Sequence, residues 1–203
     1  MKFDPQIHHR RSIRLPGYDY SQAGAYFITL CSWQRAFLFG EVVDGEMKLT
    51  VLGKIVTAEW QRLAVRFPFL QLGEWVVMPN HFHGILIIGE SDGTGTGGIS
   101  DGLYPAGERE SADNFPRALT APNPSAREQF GAPVAGSIPT IIRSFKASVT
   151  CMARSEGTVW QRNYYEHIIR NEAEMQRITD YIQHNPLRWQ EDQLHPAAVP
   201  NQR

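Results

Sequence analysis

Cysteine is scarce in this chain of 203 residues: only Cys31 and Cys151, neither in a CxxC pair. That excludes a disulfide framework and a cysteine-rich zinc module, and it makes a reducing cytoplasm the expected compartment. No apolar run is long enough to span a bilayer, and the first residues, MKFDPQIHHRRSIR, lack the apolar core of a secretory signal. A large excess of charge is missing too, with a formal net charge of −1. The charge is nevertheless uneven. Between Ser91 and Gly136 six acids face three bases, so this segment carries −3 and the remainder +2. The bases gather at His8-His9-Arg10-Arg11-Ser12-Ile13-Arg14, either a phosphate-contacting arm or a solvated tail.

What is present is a domain with ordinary apolar content, 42% of residues, interrupted once. Residues 1–23 form an N-terminal arm ending in a Pro16-Gly17 turn. Ala25 to Trp33 alternates as a strand, with Tyr26, Ile28 and Leu30 on one face and Phe27, Thr29 and Cys31 on the other. Asp44-Gly45 marks a hairpin turn. Leu49 to Phe67 reads as an amphipathic helix stopped by Pro68. Residues 91–136 hold eight of the 17 glycines and five of the 13 prolines without apolar period, and are read as a flexible insertion. They contain no GxxxxGK[ST] phosphate loop. Ser137 caps a second helix bearing Ile141, Ile142, Phe145 and Val149, with Arg143 and Lys146 off its core side. Val159 to Ile169 is a strand candidate, and Asn171 with Glu174 opens a last helix reaching about Asn185, before Pro186. Two separated pieces, 24–90 and 137–190, thus make one α+β domain with a mainly antiparallel sheet, followed by a C-terminal tail, 191–203.

The chemistry-bearing stretch is EWVVMPNHFHGILIIG, Glu74 to Gly89. Period-2 alternation at the start of a strand points His81 and His83 the same way and Phe82 the opposite way. Two imidazoles on an open face make half of a metal site, or two partly exposed histidines near a strand end. On the last helix Met175, Ile178 and Ile182 define the packed face, and Tyr181 and Asn185 lie on its rim one turn apart. Asn185 can supply a hard oxygen to a cation and Tyr181 can be a nucleophile. The alternative is a rim tyrosine and a helix cap.

MPNHFHGIL, then YYEHIIRN and DYIQHNP far downstream, with RRSIRLPGYDYSQAGAYFITLCS near the start, resembles the single-tyrosine HUH transposases, and among them the REP-associated tyrosine transposases. The resemblance spans nearly everything outside 91–136. It implies a ferredoxin-like sandwich, His81 and His83 as the HUH pair, Tyr181 as nucleophile, and Asn185 as third ligand of Mg2+ or Mn2+. Many insertion-sequence relatives carry glutamine at the last position. It further implies single-stranded or REP-type hairpin DNA as partner, a monomer or homodimer, and a cytoplasmic, nucleoid-associated location. Cleavage would pass through a 5′-phosphotyrosine link; the alternative is a transposase-derived protein that holds hairpins without cutting. A histidine-triad nucleotide hydrolase is disfavoured because the third triad position is Ile85. Arg10, Arg11, Arg14, Arg143 and Lys146 are the expected phosphate contacts, and Trp160, Tyr164 and Tyr165 the aromatics available for base stacking.

Overall fold

The computed structural model describes residue 15 and residues 17–89, 134–154 and 157–197. Arg10, Arg11 and Arg14, and nearly all of the 91–136 segment, lie outside the described residues.

Strand β1 spans Gly24–Cys31, and a short β2–β3 hairpin, Gly40–Val43 and Glu46–Leu49, precedes helix α1, Val51–Arg66. Then come β4, Leu70–Val77, β5, His81–Ile88, helix α2, Ile138–Ala153, β6, Tyr165–Ile169, and helix α3, Glu172–His184. The main sheet is ordered β4-β5-β1-β6 and every neighbouring pair is antiparallel. With β1–α1–β4–β5–α2–β6 connectivity, this is the expected ferredoxin-like α+β sandwich, its β1 and β4 parallel with β5 inserted between them.

Each helix start has a local cause. Thr50 accepts the Gly53 N–H into its side chain, and Asn171 does the same for Glu174. Ser137 stands at the N-cap of α2 without a side-chain capping bond; its hydroxyl donates to the Val134 carbonyl instead.

The sheet is buried on both faces. Tyr26, Ile28, Leu30, Phe82, Leu86 and Ile88 pack under α1 and α2, against Val56, Trp60, Leu63, Ile141 and Phe145. Ala25, Ile85 and Ile169 pack under α3, against Ile178 and Ile182. A third layer therefore covers only the second face, and the histidines of β5 open onto that side. Glu59 ties α1 to α2: it is buried, receives the Ser148 hydroxyl and lies 2.5 Å from the Arg62 guanidinium.

One expected strand is shorter than read. Residues 159–164 do not join the sheet; Trp160 makes a single bridge to Ser32 and turns its ring onto Phe39 and Phe145. The chain here crosses the end of the sheet. The Lys146 ammonium takes up the Gln161 and Arg162 carbonyls, at 2.5 and 3.3 Å, that a strand partner would have used.

The chain leaves β5 and re-enters before α2 at one place. Gly89 N–H donates to the Phe69 carbonyl, and a side chain at Gly136 (φ 76°) would run into the Phe69 ring. Among the described residues no helix is long and apolar enough to cross a membrane.

Candidate metal and nucleophile site

Register sets the first two members. His81 pairs with Cys31 and His83 with Thr29, so both imidazoles stand on the α3 face. Between them Phe82 goes through to the opposite core, 4.5 Å from Trp60 in ring centroids. A slip of one residue would put an apolar ring in the site and two imidazoles in the core, so burial of Phe82 fixes the histidines' direction.

The open face read from the sequence is closed. His81 is 0% exposed and His83 3%. The cover is a segment after α3: the Trp189 ring lies 5.9 Å from His81, with His195 packed on Trp189. The period-2 argument gives direction along a strand, but not what later chain folds over it.

Hydrogen bonds fix the ring nitrogens. Asn80 donates through Nδ2 to the Leu194 carbonyl at 2.8 Å, leaving its Oδ1 as acceptor for His81 Nδ1, also at 2.8 Å. His81 therefore carries its proton on Nδ1 and presents a bare Nε2 to the site. That Nε2 is buried and has no partner. His83 Nδ1 lies 2.8 Å from the Thr29 hydroxyl, and Phe27 stacks on the ring at 5.2 Å. Burial, reinforced by the Arg35 charge, pulls His81 down to about 3. Burial and then the neighbouring His81 hold His83 well below its ordinary value, against the pull of Asp192. Both rings are neutral at pH 7, the form that binds metals.

Helix α3 delivers the other members expected from sequence. Tyr181, 42% exposed, places its hydroxyl 3.2 Å from His83 Nε2. Asn185, the C-cap, is buried and its Oδ1 has no partner. Sequence reasoning did not name the residue that joins these groups, Asp192. Its Oδ2 accepts from the Tyr181 hydroxyl at 3.2 Å and from Asn185 Nδ2 at 3.1 Å, and lies 4.0 Å from His81 Nε2. Because only the amide nitrogen can donate to a carboxylate, Asp192 dictates that Asn185 turns Oδ1 the other way. The signal available in the sequence was local: Asp192 closes an Asx turn onto the Leu194 N–H at 2.6 Å, three residues after the buried Trp189. Burial, followed by the Asp192 charge, pushes the Tyr181 hydroxyl above its ordinary value.

His81, His83 and Asp192 form a buried group able to hold a metal ion, one ligand atom from each lying within 4.8 Å of the others. The donor set fits a cation on a second count: His81 Nε2 and Asn185 Oδ1 are buried lone pairs without donors, which a folded chain tolerates where an ion satisfies them. Of the expected phosphate contacts, Arg143 is exposed on α2, whereas Lys146 is folded onto backbone carbonyls and pushed down to about 8 by burial. Of the expected stacking residues, Trp160 is in the core and Tyr165 is 51% exposed. Tyr165 stands on edge strand β6 opposite Thr29, edge-on to Phe27 at 6.5 Å.

No family model matches the chain. An uncharacterised protein of Haemophilus influenzae is 39% identical over 200 residues, covering 96% of this chain and 97% of its own. Among solved structures, a REP-associated tyrosine transposase bound to a REP hairpin superposes with a TM-score of 0.53 at 18% identity, covering 89% of this chain and 74% of that one. The chain belongs to one family with the Haemophilus protein, and its fold is that of a REP-associated tyrosine transposase.

Proposed function

We propose that the protein is a metal-dependent endonuclease and strand transferase for single-stranded DNA, working through a phosphotyrosine link on Tyr181. The observation that carries this reading is the placement of the Tyr181 hydroxyl, 3.2 Å from both His83 Nε2 and Asp192 Oδ2, at the edge of a buried cluster with two unsatisfied lone pairs. His81, His83 and Asn185 would hold the cation, with Asp192 beside them. Nitrogen and hard oxygen donors together suit Mg2+ or Mn2+. When bound, the ion polarises a non-bridging phosphate oxygen and offsets the charge that gathers during attack.

The chain's own groups do the rest. Asp192 accepts the hydroxyl hydrogen bond and aims the Tyr181 oxygen. As the Tyr181 Oη–P bond forms, Asp192 takes the phenolic proton, the P–O3′ bond breaks, and its electron pair leaves on the 3′ oxygen, which picks up a proton to become the 3′-hydroxyl. The phosphodiester energy is kept in the new link, so a returning 3′-hydroxyl can reverse the step without a nucleotide cofactor.

The similar solved transposase holds a REP hairpin, and a hairpin with a single-stranded flank is the partner we assign to this chain. Arg143, with Arg10, Arg11 and Arg14, would meet phosphates, and the exposed Tyr165 ring would stack a base beside the nucleophile.

The test is covalent capture. Incubated with Mn2+ and end-labelled single strands from DNA flanking its gene, the protein should form a denaturation-resistant adduct mapping to Tyr181. Tyr181→Phe should still bind the DNA and form none. An adduct on Tyr164 or Tyr165, or binding without any adduct, would overturn this function; the second outcome would leave a hairpin-binding protein.

A further inference from the structure

Asn80, the residue before His81, is buried with both ends of its amide engaged. Its Nδ2 donates to the Leu194 carbonyl at 2.8 Å, and its Oδ1 lies 2.8 Å from His81 Nδ1. A carbonyl oxygen cannot donate, so the Leu194 bond fixes which end of the amide faces the imidazole. The backbone around Asn80 is pinned as well. Its carbonyl accepts from Ser32 N–H at 2.9 Å, the Pro79 carbonyl accepts from Phe39 N–H at 3.1 Å, and Met78 N–H donates to the His81 carbonyl at 2.8 Å. Side chain and backbone together leave the amide one orientation.

His81 therefore stands between two acceptors. Asn80 Oδ1 is at hydrogen-bond distance from Nδ1, and Asp192 Oδ2 lies 4.0 Å from Nε2. A neutral imidazole carries one proton and can serve only one of them. With the proton on Nδ1, the buried Nε2 lone pair has no donor and faces a carboxylate oxygen. Two electron-rich atoms held so in a buried site repel, and a cation that both can ligate turns the repulsion into attraction. With the proton on Nε2 instead, a closing movement of about 1 Å would make the same pair a hydrogen bond, and the coordinating lone pair would be gone. The ring is neutral in both forms; one proton changes nitrogen.

The anchor of this choice lies on the segment that covers the site. Leu194 gives its carbonyl to Asn80 and its N–H to Asp192 Oδ1 at 2.6 Å. Asp192 Oδ2 in turn accepts from Tyr181 and Asn185. One residue thus orients both the amide on the Nδ1 side of His81 and the carboxylate on its Nε2 side.

We propose that Asn80 is a positioning residue that keeps the site open to a cation: by holding the His81 proton on Nδ1, it stops His81 and Asp192 from closing on each other as a hydrogen-bonded pair. This rests on the metal-dependent reading above and adds to it the group that decides whether His81 can ligate. Loss of the acceptor releases the proton to Nε2 and leaves a folded protein that ignores metal.

The tautomer can be read directly. With the histidine nitrogens isotope-labelled, NMR in chelator should show His81, assigned by its absence from His81→Phe, with a protonated Nδ1 and a bare Nε2. Asn80→Leu, of similar size and without an acceptor, should show the reverse. Its Mn2+ affinity by calorimetric titration should fall about 10- to 100-fold, the scale of losing a group that orients a metal-ligating histidine. Asn80→Asp keeps the acceptor and loses only the donor to Leu194, so it should bind Mn2+ at least as tightly as wild type while melting lower in chelator. The proposal is overturned if wild-type His81 carries its proton on Nε2, an observation that needs no variant to fold. It is equally overturned if Asn80→Leu keeps the wild-type affinity. Asn80→Asp losing as much as Asn80→Leu overturns it too, because the tie to Leu194 and not the acceptor would then matter. Wild-type protein that binds Mn2+ but holds the metal-free proton on Nε2 leaves the nuclease reading standing and removes only this one; wild-type protein that binds neither Mn2+ nor Mg2+ removes both.

Discussion

Metal should stabilise this protein, and removal of His81 should erase that effect at little other cost. Wild-type protein carries two buried lone pairs, on His81 Nε2 and Asn185 Oδ1, each worth roughly 1–3 kcal/mol when left unmet. A cation that meets them binds the native state alone, so at 100 times its Kd it adds about 2.7 kcal/mol to stability. For a chain of this size that is about 5–10 °C in Tm. His81→Phe removes one lone pair but strands Asn80 Oδ1, which now accepts from His81 Nδ1. The lost and gained penalties are of one size, roughly 1–3 kcal/mol each, so the metal-free variant should unfold within about 1 kcal/mol of wild type. It should then show no rise with Mn2+. The assay is thermal unfolding in chelator, followed by titration with Mn2+ and Mg2+ to millimolar concentration. A wild-type Tm that ignores both ions, or a His81→Phe protein that keeps the full rise, would refute the reasoning. Protein that needs His81 for folding without metal would show itself as a large loss in the chelator arm.

Two further outcomes follow from groups outside the cluster. Burial alone would raise the Glu59 carboxyl, but Ser148, Arg62 and Arg66 outweigh it and hold the group below its ordinary value. A depressed carboxyl stabilises the fold above its unfolded value near 4.5 and loses that contribution as pH falls through the folded value. Glu59→Gln should therefore cost about 1.5–3 kcal/mol at pH 7, the scale of a charged hydrogen bond, and the gap should close in acid; urea unfolding at several pH values would show a constant gap if this is wrong. Tyr165→Ala should weaken single-strand binding about 5- to 150-fold, equivalent to about 1–3 kcal/mol per stacked base, with unchanged melting; fluorescence anisotropy that finds equal affinity would make the ring a bystander.

The elements carrying strong period were legible before any coordinates. Alternation from Ala25 to Cys31, the apolar run Ile85 to Ile88 and the stripe of Ile178 and Ile182 each bury the face their spacing implies. The shared direction of His81 and His83 was legible for the same reason, and the structure brings Tyr181 and Asn185 to them. Less legible was anything that depends on chain returning from far away. Nothing local marks Trp189 as the cover of His81, and nothing in DQLHP says that Asp192 would orient both Tyr181 and Asn185 from beyond the end of the last helix. The β-branched and aromatic content of 159–164 suggested a strand, but Trp160 is drawn into the core and the backbone follows its side chain.

The meeting of Gly89, Gly136 and Phe69 bears on how the two halves of the site are joined. The histidines come from one side of the 90–133 stretch, and the tyrosine, asparagine and aspartate from the other. Because the described chain departs and returns at a single aromatic residue, any connection there needs its two ends to meet beside Phe69. For a flexible connection, loop-closure entropy grows only as the logarithm of length, so a twofold change costs about 0.6 kcal/mol. A flexible linker of another length joined at Gly89 and Gly136 should therefore leave the two halves of the site where they stand.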